Sequence, residues 1–207
     1  MSLTPKGRAT RQRILDATAA YLRSDAPGEV TLDEIRSVTG TSKGQLFHYF
    51  PGGKDELLLE AVRGEAAQVL EDQQPHLDDL ASREDWERWS AAVVDRYRAL
   101  GANCPLAALM SQMSAPGAGD VVFALLAEWR ERLARGIRAM QDAGEARADV
   151  DAARIATSVI AGIQGGVQVL RSTGDVDALE TSLALHLDYL SSGAARPRMR
   201  AAARSIG

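Results

Sequence analysis

The sequence predicts an all-α protein with about nine helices, in which a small N-terminal domain of three helices precedes a larger helical domain. Apolar residues make up 45% of the chain but aromatic residues only 5%, a composition rich in alanine and leucine that favours helices. Apolar residues recur every three or four positions, and no segment alternates β-branched residues as a half-buried strand does. We expect the small domain to span residues 1–54, the larger domain residues 55–192, and a basic, disordered tail residues 193–207.

The first helix is expected over residues 8–25, because Ile14 and Leu22 lie among apolar positions at helical spacing. Arg8, Arg11 and Arg13 occupy its first turns. Two interpretations of these arginines are open: they contact phosphates, or they form a solvated basic end.

Residues 31–50 carry the pattern of two short helices joined by a tight turn. Thr31 followed by Glu34 is a capping box, which starts the first of these helices. Gly40 ends that helix, since glycine adopts a left-handed backbone without steric cost. Ser42 caps the second helix, which we expect to end where Pro51 begins a turn. The spacing is that of a helix–turn–helix.

The second helix carries polar groups suited to the DNA major groove. Lys43 can donate to guanine, Gln45 can pair with adenine, and Gly44 between them lets the DNA approach. The alternative is an ordinary helical hairpin with a solvated Lys43 and Gln45. The predicted DNA-binding residues are Thr31, Thr41, Ser42, Lys43, Gly44, Gln45, Phe47, His48, Tyr49 and Lys54.

The stretch IRSVTGTSKGQLFHYFPGGKDELL resembles the helix–turn–helix of the tetracycline-repressor (TetR) family of bacterial transcription regulators. Its Pro-Gly-Gly-Lys segment and the later Cys-Pro-Leu at 104–106 are similar to a drug- and flavonoid-responsive subgroup. Arg36, Thr39 and Thr41 depart from the Ala, Ala and Val usual in the family. The resemblance implies a homodimeric repressor whose last two helices form the dimer contact and whose fourth helix couples ligand binding to DNA affinity.

The larger domain is expected to contain long helices over residues 55–70, 83–100, 120–143, 151–173 and 176–190, and a short helix that begins at Cys104-Pro105. An aromatic stripe on the second of these helices is either core or ligand-facing. We expect a small apolar or aromatic effector. The predicted effector-binding residues are Trp86, Trp89, Tyr97, Leu106, Met110, Met113, Phe123, Trp129, Ile163, Gln164 and Val167.

The helices over residues 151–191 are too apolar for one small domain to cover, which predicts a homodimer interface. Gly162, Gly165 and Gly166 lie inside the first of them. An interior glycine costs about 1 kcal/mol relative to alanine, so we expect another backbone or a ligand to approach there. Gln164 either orients a ligand through hydrogen bonds or faces solvent.

The charge of the chain is unevenly distributed. Residues 1–54 carry a net charge of +3 and residues 193–207 a net charge of +4. Residues 55–192 must then carry −11 to give the whole chain its net charge of −4. A basic head on an acidic body is typical of a DNA-binding domain joined to a regulatory domain.

Catalytic and metal sites find little support. The three histidines, His48, His76 and His186, fall in separate elements, and Gly52-Gly53-Lys54 is followed by Asp55 instead of the serine or threonine of a phosphate-binding loop. We therefore expect no catalytic residue, no metal and no cofactor.

The chain is expected to be cytoplasmic, without contact with a membrane. Its longest apolar run, residues 121–127, is far too short to span a bilayer, and the single Cys104 excludes an internal disulfide. Two alternative functions are open: a ligand-independent architectural DNA-binding dimer, and a helical small-molecule carrier or enzyme that retains the head.

Overall fold

The computed structural model describes residues 3–23, 30–101, 105, 110 and 116–192. Within these residues the chain is all-helical, which confirms the predicted fold class, and none of the described helices is long and apolar enough to cross a membrane. The helices are α1 (Pro5–Arg23), α2 (Leu32–Thr39), α3 (Lys43–Tyr49), α4 (Gly53–Glu71), α5 (Arg83–Leu100), α6 (Ala118–Asp142), α7 (Ala152–Thr173) and α8 (Asp177–Ser191). Of the expected short helix that begins at Cys104-Pro105, the structure describes only Pro105 and Met110, both helical, and the basic tail lies outside the described residues.

The N-terminal head is built by α1, α2, α3 and the first turns of α4. Helix α1 packs against both α2 and α4. Ile14 and Leu22 of α1 meet Ile35 of α2 and Leu46 of α3 in a separate hydrophobic cluster, and all four are buried. Burying each such side chain contributes about 1.5–3 kcal/mol, so the cluster holds the three short helices in one arrangement.

Helix α4 belongs to two hydrophobic cores. Leu57, Leu58 and Ala61 pack into the core of the head, whereas the following Val62 and Ala66 pack into the core of the larger domain. The division between the two packing units therefore falls inside α4, after Ala61. Our expected boundary after residue 54 was drawn from local signals and placed all of α4 in the larger domain.

The body, formed by the second half of α4 and by α5 to α8, has one continuous core. Helix α7 packs against both α6 and α8, and Trp89 of α5 and Trp129 of α6 are fully buried in that core. Helix α8 approaches α7 very closely, because a Cβ at Gly166 would lie 2.6 Å from Leu179 Cα. This contact confirms that one interior glycine of α7 serves the close approach of another backbone.

We expect Gly166→Ala to lower the free energy of unfolding by about 1–3 kcal/mol, because the added methyl forces α7 and α8 apart. The matched control is Gly64→Ala in α4, where an added Cβ meets nothing within 4 Å. That substitution is expected to raise the free energy of unfolding by about 1 kcal/mol through helix propensity alone. Chemical denaturation of both variants checks this prediction. Equal effects of the two substitutions would contradict it.

Candidate DNA interface and effector region

The first capping box is present at the start of α2. The Thr31 amide donates to Glu34 Oε2 at 2.7 Å, and the Glu34 amide donates to Thr31 Oγ1 at 3.2 Å. The Glu34 carboxylate accepts hydrogen bonds from the Thr31 amide and from the Thr31 hydroxyl. These bonds, the amide's first, hold the pKa of Glu34 below its ordinary value. The sequence signature therefore identified the start of this helix correctly.

The turn between α2 and α3 is held by hydroxyl groups. Gly40 adopts the left-handed conformation with φ 60°, as predicted. Thr39 Oγ1 donates to the Ile35 carbonyl at 2.6 Å and lies 2.7 Å from Thr41 Oγ1. Both threonines are buried. Two threonines replace the apolar residues usual in the family because their hydroxyls bond to each other and to the helix.

Thr41 is the one predicted DNA-binding residue whose side chain is buried. Its side chain faces the interior of the turn and its hydroxyl already has a partner in Thr39.

Helix α3 begins with a second capping box. The Ser42 amide donates to Gln45 Oε1 at 3.0 Å, and the Gln45 amide donates to Ser42 Oγ at 3.2 Å. The Gln45 side-chain oxygen is therefore occupied, while its amide nitrogen remains a donor. Because an amide oxygen can accept two hydrogen bonds, bidentate pairing of Gln45 with adenine would use the second lone pair of Oε1 or break its bond to the Ser42 amide.

The exposed side of α3 carries most of the predicted DNA-binding residues. Leu46 and Phe50 are fully buried and attach the helix to the head, as the i, i+4 spacing predicted. Phe47 is 40% exposed, and its ring would lie 3.2 Å from a Cβ at Gly53. The remaining predicted residues are exposed (Ser42, Lys43, Gly44, Gln45 and His48, with Thr31 at the start of α2) or half-buried (Tyr49 and Lys54).

The arginines of α1 brace the head. Arg13 Nη1 donates to the Thr39 carbonyl at 2.6 Å, so it bonds to the backbone of the turn. Arg11 lies 3.3 Å from Glu60 of α4, and its guanidinium stacks over the Phe50 ring at 4.8 Å. Neither open interpretation, phosphate contact or solvated end, included these internal partners, which lie 26 and 49 residues away in the sequence.

A largely buried ion pair joins the end of α1 to the middle of α4. Arg23 Nη1 lies 2.5 Å from Glu65 Oε1, while Glu65 Oε2 has no hydrogen-bond partner among the described residues. Glu65 is only 5% exposed. Burial raises the pKa of Glu65, and the neighbouring Arg23 opposes that rise. The pair fixes the angle between the two helices at a cost in desolvation.

Most of the predicted effector-binding residues form the interior of the body. Trp86 and Trp89 pack edge to face with ring centroids 5.3 Å apart, and Trp89 Nε1 donates to Gln73 Oε1 at 3.0 Å. The indole nitrogens of Trp86 and Trp129 are buried without a hydrogen-bond partner among the described residues. Tyr97, Ile163 and Val167 belong to the same core, and Met110 packs against it half-buried.

Two predicted effector contacts lie elsewhere, and two cannot be located. Phe123 is 76% exposed and lies outside the core of the body. It borders a surface groove of about 320 Å³ between α6 and α7, and half-buried Gln164 lines the same groove. Phe123 follows the apolar spacing of α6, but it lies on a face that no other described helix covers. Leu106 and Met113 lie outside the described residues.

The cavity beside the aromatic stripe is small. It measures about 20 Å³ and is lined by α4, by α5 and by Pro105, with Tyr97 among its residues. This space holds a water molecule but no organic effector.

A hydroxyl–imidazole pair joins α7 to α8. Ser158 Oγ lies 2.9 Å from His186 Nε2, and His186 Nδ1 lies 2.6 Å from the Ser182 carbonyl. The sequence did not reveal this pair, because the two residues are 28 positions apart. The second imidazole nitrogen contacts a backbone carbonyl, whereas catalytic triads place a carboxylate there. In the described part of the chain, no cluster of three or more metal-ligating side chains is arranged to hold an ion.

Two family models match the chain. Residues 14–61 match the model of bacterial regulatory proteins of the tetR family, and residues 84–185 match the tetracyclin repressor-like C-terminal domain. The first match covers the head from Ile14 to Ala61, and the second covers α5 to most of α8.

Individual proteins show the same likeness. An uncharacterized HTH-type transcriptional regulator of Mycobacterium tuberculosis is 29% identical over 108 residues, which cover 48% of this chain and 50% of that protein. The match thus spans about half the length of that relative. The HTH-type transcriptional regulator LmrA of Bacillus subtilis is 36% identical over 53 residues, 26% of this chain and 28% of LmrA. A TetR transcriptional regulator from Chloroflexus aurantiacus has a solved structure with a TM-score of 0.76, 26% identity, and coverage of 90% of this chain and 96% of that one.

We expect Glu65→Gln to remove a pH-dependent term from stability. Because the pKa of Glu65 is raised on folding, the folded state holds this proton more tightly, so its contribution to the free energy of unfolding falls as pH rises above about 4.5. The stability of the variant relative to the original protein should therefore increase with pH from 4.5 to 7. Denaturation at several pH values measures this difference. Glu71→Gln, an exposed position on α4, is the control, and a pH-independent difference for Glu65→Gln would contradict the prediction.

Proposed function

Since the chain belongs to the TetR family of bacterial transcriptional regulators, we propose that it binds operator DNA as a homodimer in the cytoplasm and is released by a small apolar or aromatic ligand. The observation that supports this proposal most directly is the exposed first turn of α3. Reciprocal hydrogen bonds between Ser42 and Gln45 cap this turn, which presents Lys43 and Gln45 on the outside of the head. The family is one of DNA-binding regulators rather than enzymes.

The glycine within α3 supports close approach of DNA. A Cβ at Gly44 would meet no atom within 4 Å, so packing inside the chain gives no reason for glycine at a position where it weakens the helix. A DNA backbone or base edge close to Gly44 supplies such a reason. Lys43 and Gln45 would then reach base edges, while Thr31, His48, Tyr49 and Lys54 would hold phosphates on either side.

Homodimerisation through α7 and α8 has similar support. A Cβ at Gly165 in α7 would also meet no atom within 4 Å. The same surface exposes large apolar side chains, with Val169 at 42%, Leu185 at 63% and Tyr189 at 45%. A second copy packed on α7 and α8 would cover these side chains and use the space beside Gly165. A two-fold axis there would place two α3 helices on one side of the dimer, as a palindromic operator requires.

Release from DNA would act through α4. An effector in the body would press on Val62 or Ala66, and the same helix carries Leu57 and Leu58 in the head core. The unpaired indole N–H groups of Trp86 and Trp129 favour an effector that carries a hydrogen-bond acceptor, because unmet buried donors are costly. The effector would lower DNA affinity only to the extent that it binds one head arrangement more tightly than the other. The resemblance to drug- and flavonoid-responsive regulators supports an aromatic effector.

A ligand-independent DNA-binding dimer is the second candidate, and the small size of the described cavity beside Tyr97 favours it. Titrating aromatic compounds against the protein–operator complex while following tryptophan fluorescence separates the two. Release of DNA together with a change in fluorescence supports the regulated form. Failure of every compound to do either supports the ligand-independent form.

We expect Lys43→Ala to weaken operator binding by about 5- to 100-fold, the effect of about 1–3 kcal/mol that a specific base contact contributes. The control is Thr41→Val, an isosteric change at a buried neighbour, which should leave affinity within about twofold because its side chain faces the turn and not the exposed side of α3. Gel shifts with the DNA upstream of the coding region, at two salt concentrations and with competitor DNA, make the measurement. Unchanged affinity for Lys43→Ala would remove this residue from the interface.

We expect Gly165→Leu to raise the dimer dissociation constant on the order of tenfold or more, because overpacking a close helix contact costs about 1–3 kcal/mol. Gly64→Leu, the same change at another exposed helix glycine without neighbours, should leave it unchanged. Sedimentation equilibrium of both variants gives the two constants. Identical dimer affinities would show that the contact lies elsewhere.

A further inference from the structure

A groove runs along the outside of the body between α5 and α8. Its volume is about 400 Å³. Val94, Leu183 and Leu187 contribute apolar surface to it, together with the small side chains of Ala91 and Ala184. It is therefore an apolar depression of the size that a short peptide segment or an organic ligand fills.

Acidic ion-pair clusters stand at both ends of this groove. At one end Arg83 contacts Glu87 at 2.8 Å and Asp188 at 3.1 Å. At the other end Arg98 contacts both Asp95 and Glu180. All six charged residues line the groove. Four carboxylates face two guanidinium groups, which leaves a net charge of −2 along an apolar floor.

Residues 193–207 have the complementary character. They contain Arg196, Arg198, Arg200 and Arg204 and no acidic residue. The first three arginines alternate with Pro197 and Met199, so an extended segment would carry the arginines on one side and these apolar residues on the other.

The segment is also within reach of the groove. It follows α8 directly, and Asp188 at the near end of the groove lies in the last turn of that helix. The distance along α8 from Asp188 to Glu180 is about 12 Å at 1.5 Å per residue. A segment of this length can extend over about 50 Å, so it can turn back along α8 and follow the whole groove.

We propose that the α5–α8 groove binds the basic segment 194–204 of the same chain, with Met199 and Pro197 on the apolar floor and the arginines on the surplus carboxylates. Surface ion pairs are individually weak, but the covalent link supplies an effective concentration in about the millimolar range. The contact is therefore reversible and weakened by salt. Binding in the groove withholds four positive charges from DNA. This proposal does not depend on the assigned regulatory function.

Limited trypsin digestion of the full chain tests the proposal, with mass spectrometry to follow cleavage after Arg198 and Arg200. Occupation of the groove should protect both bonds at low salt, and added salt should remove the protection. The double variant Glu180→Gln/Asp188→Asn neutralises one carboxylate at each end. It is expected to accelerate cleavage about three- to tenfold, given the size of surface ion pairs.

Matched variants make the result specific. Glu84→Gln/Asp177→Asn also removes two negative charges, one from α5 and one from α8, but at positions outside the groove. It should leave cleavage slow. Ala91→Trp, which fills the groove from an exposed position, should accelerate cleavage, whereas Ala99→Trp on the same helix should not. Equal cleavage rates in all variants would overturn the proposal, as would equal acceleration by both charge variants. Protection that appears only after operator DNA is added would assign the segment to DNA instead.

Discussion

The arrangement of the molecule depends on one helix that contributes to two hydrophobic cores. The first turns of α4 pack Leu57 and Leu58 into the head, and its later turns pack Val62 and Ala66 into the body. Only three residues separate the end of α3 from the start of α4, so α3 is attached closely to α4. Close-packed interiors transmit displacement because they cannot deform continuously. A change in the packing around the second half of α4 would therefore move the proposed DNA-facing surface.

Charged side chains reinforce this connection from the side of α1. Arg11 binds Glu60 and stacks on Phe50, and Arg23 binds the buried Glu65. Both carboxylates belong to α4, on either side of the point where its packing passes from one core to the other. The buried pair costs desolvation energy, which is typical of pairs that specify an orientation rather than add stability. The arginines of α1 thus serve the geometry of the head.

Signals that are local in sequence predicted the structure well. The capping boxes at Thr31 and Ser42, the left-handed Gly40 and the bounds of α5 follow from residues within one helical turn of each other. Contacts between distant residues were not predictable in the same way. The sequence contains no sign that Arg13 reaches the Thr39 carbonyl, and helical spacing cannot show which apolar face, such as that of Phe123, lacks a neighbour. The helix–turn–helix was therefore predicted more completely than the packing of the body.

Native-state hydrogen exchange along α4 tests the central role of this helix most directly. If α4 is one rigid element shared by both cores, amides around Leu57–Ala61 and around Val62–Leu70 will exchange with the same free energy and the same denaturant dependence. If the head is instead an independent unit, the first half of α4 will exchange together with α1 to α3 at a lower free energy, with a break after Ala61. The first result is predicted here, and the second would contradict the coupling of the two domains through α4.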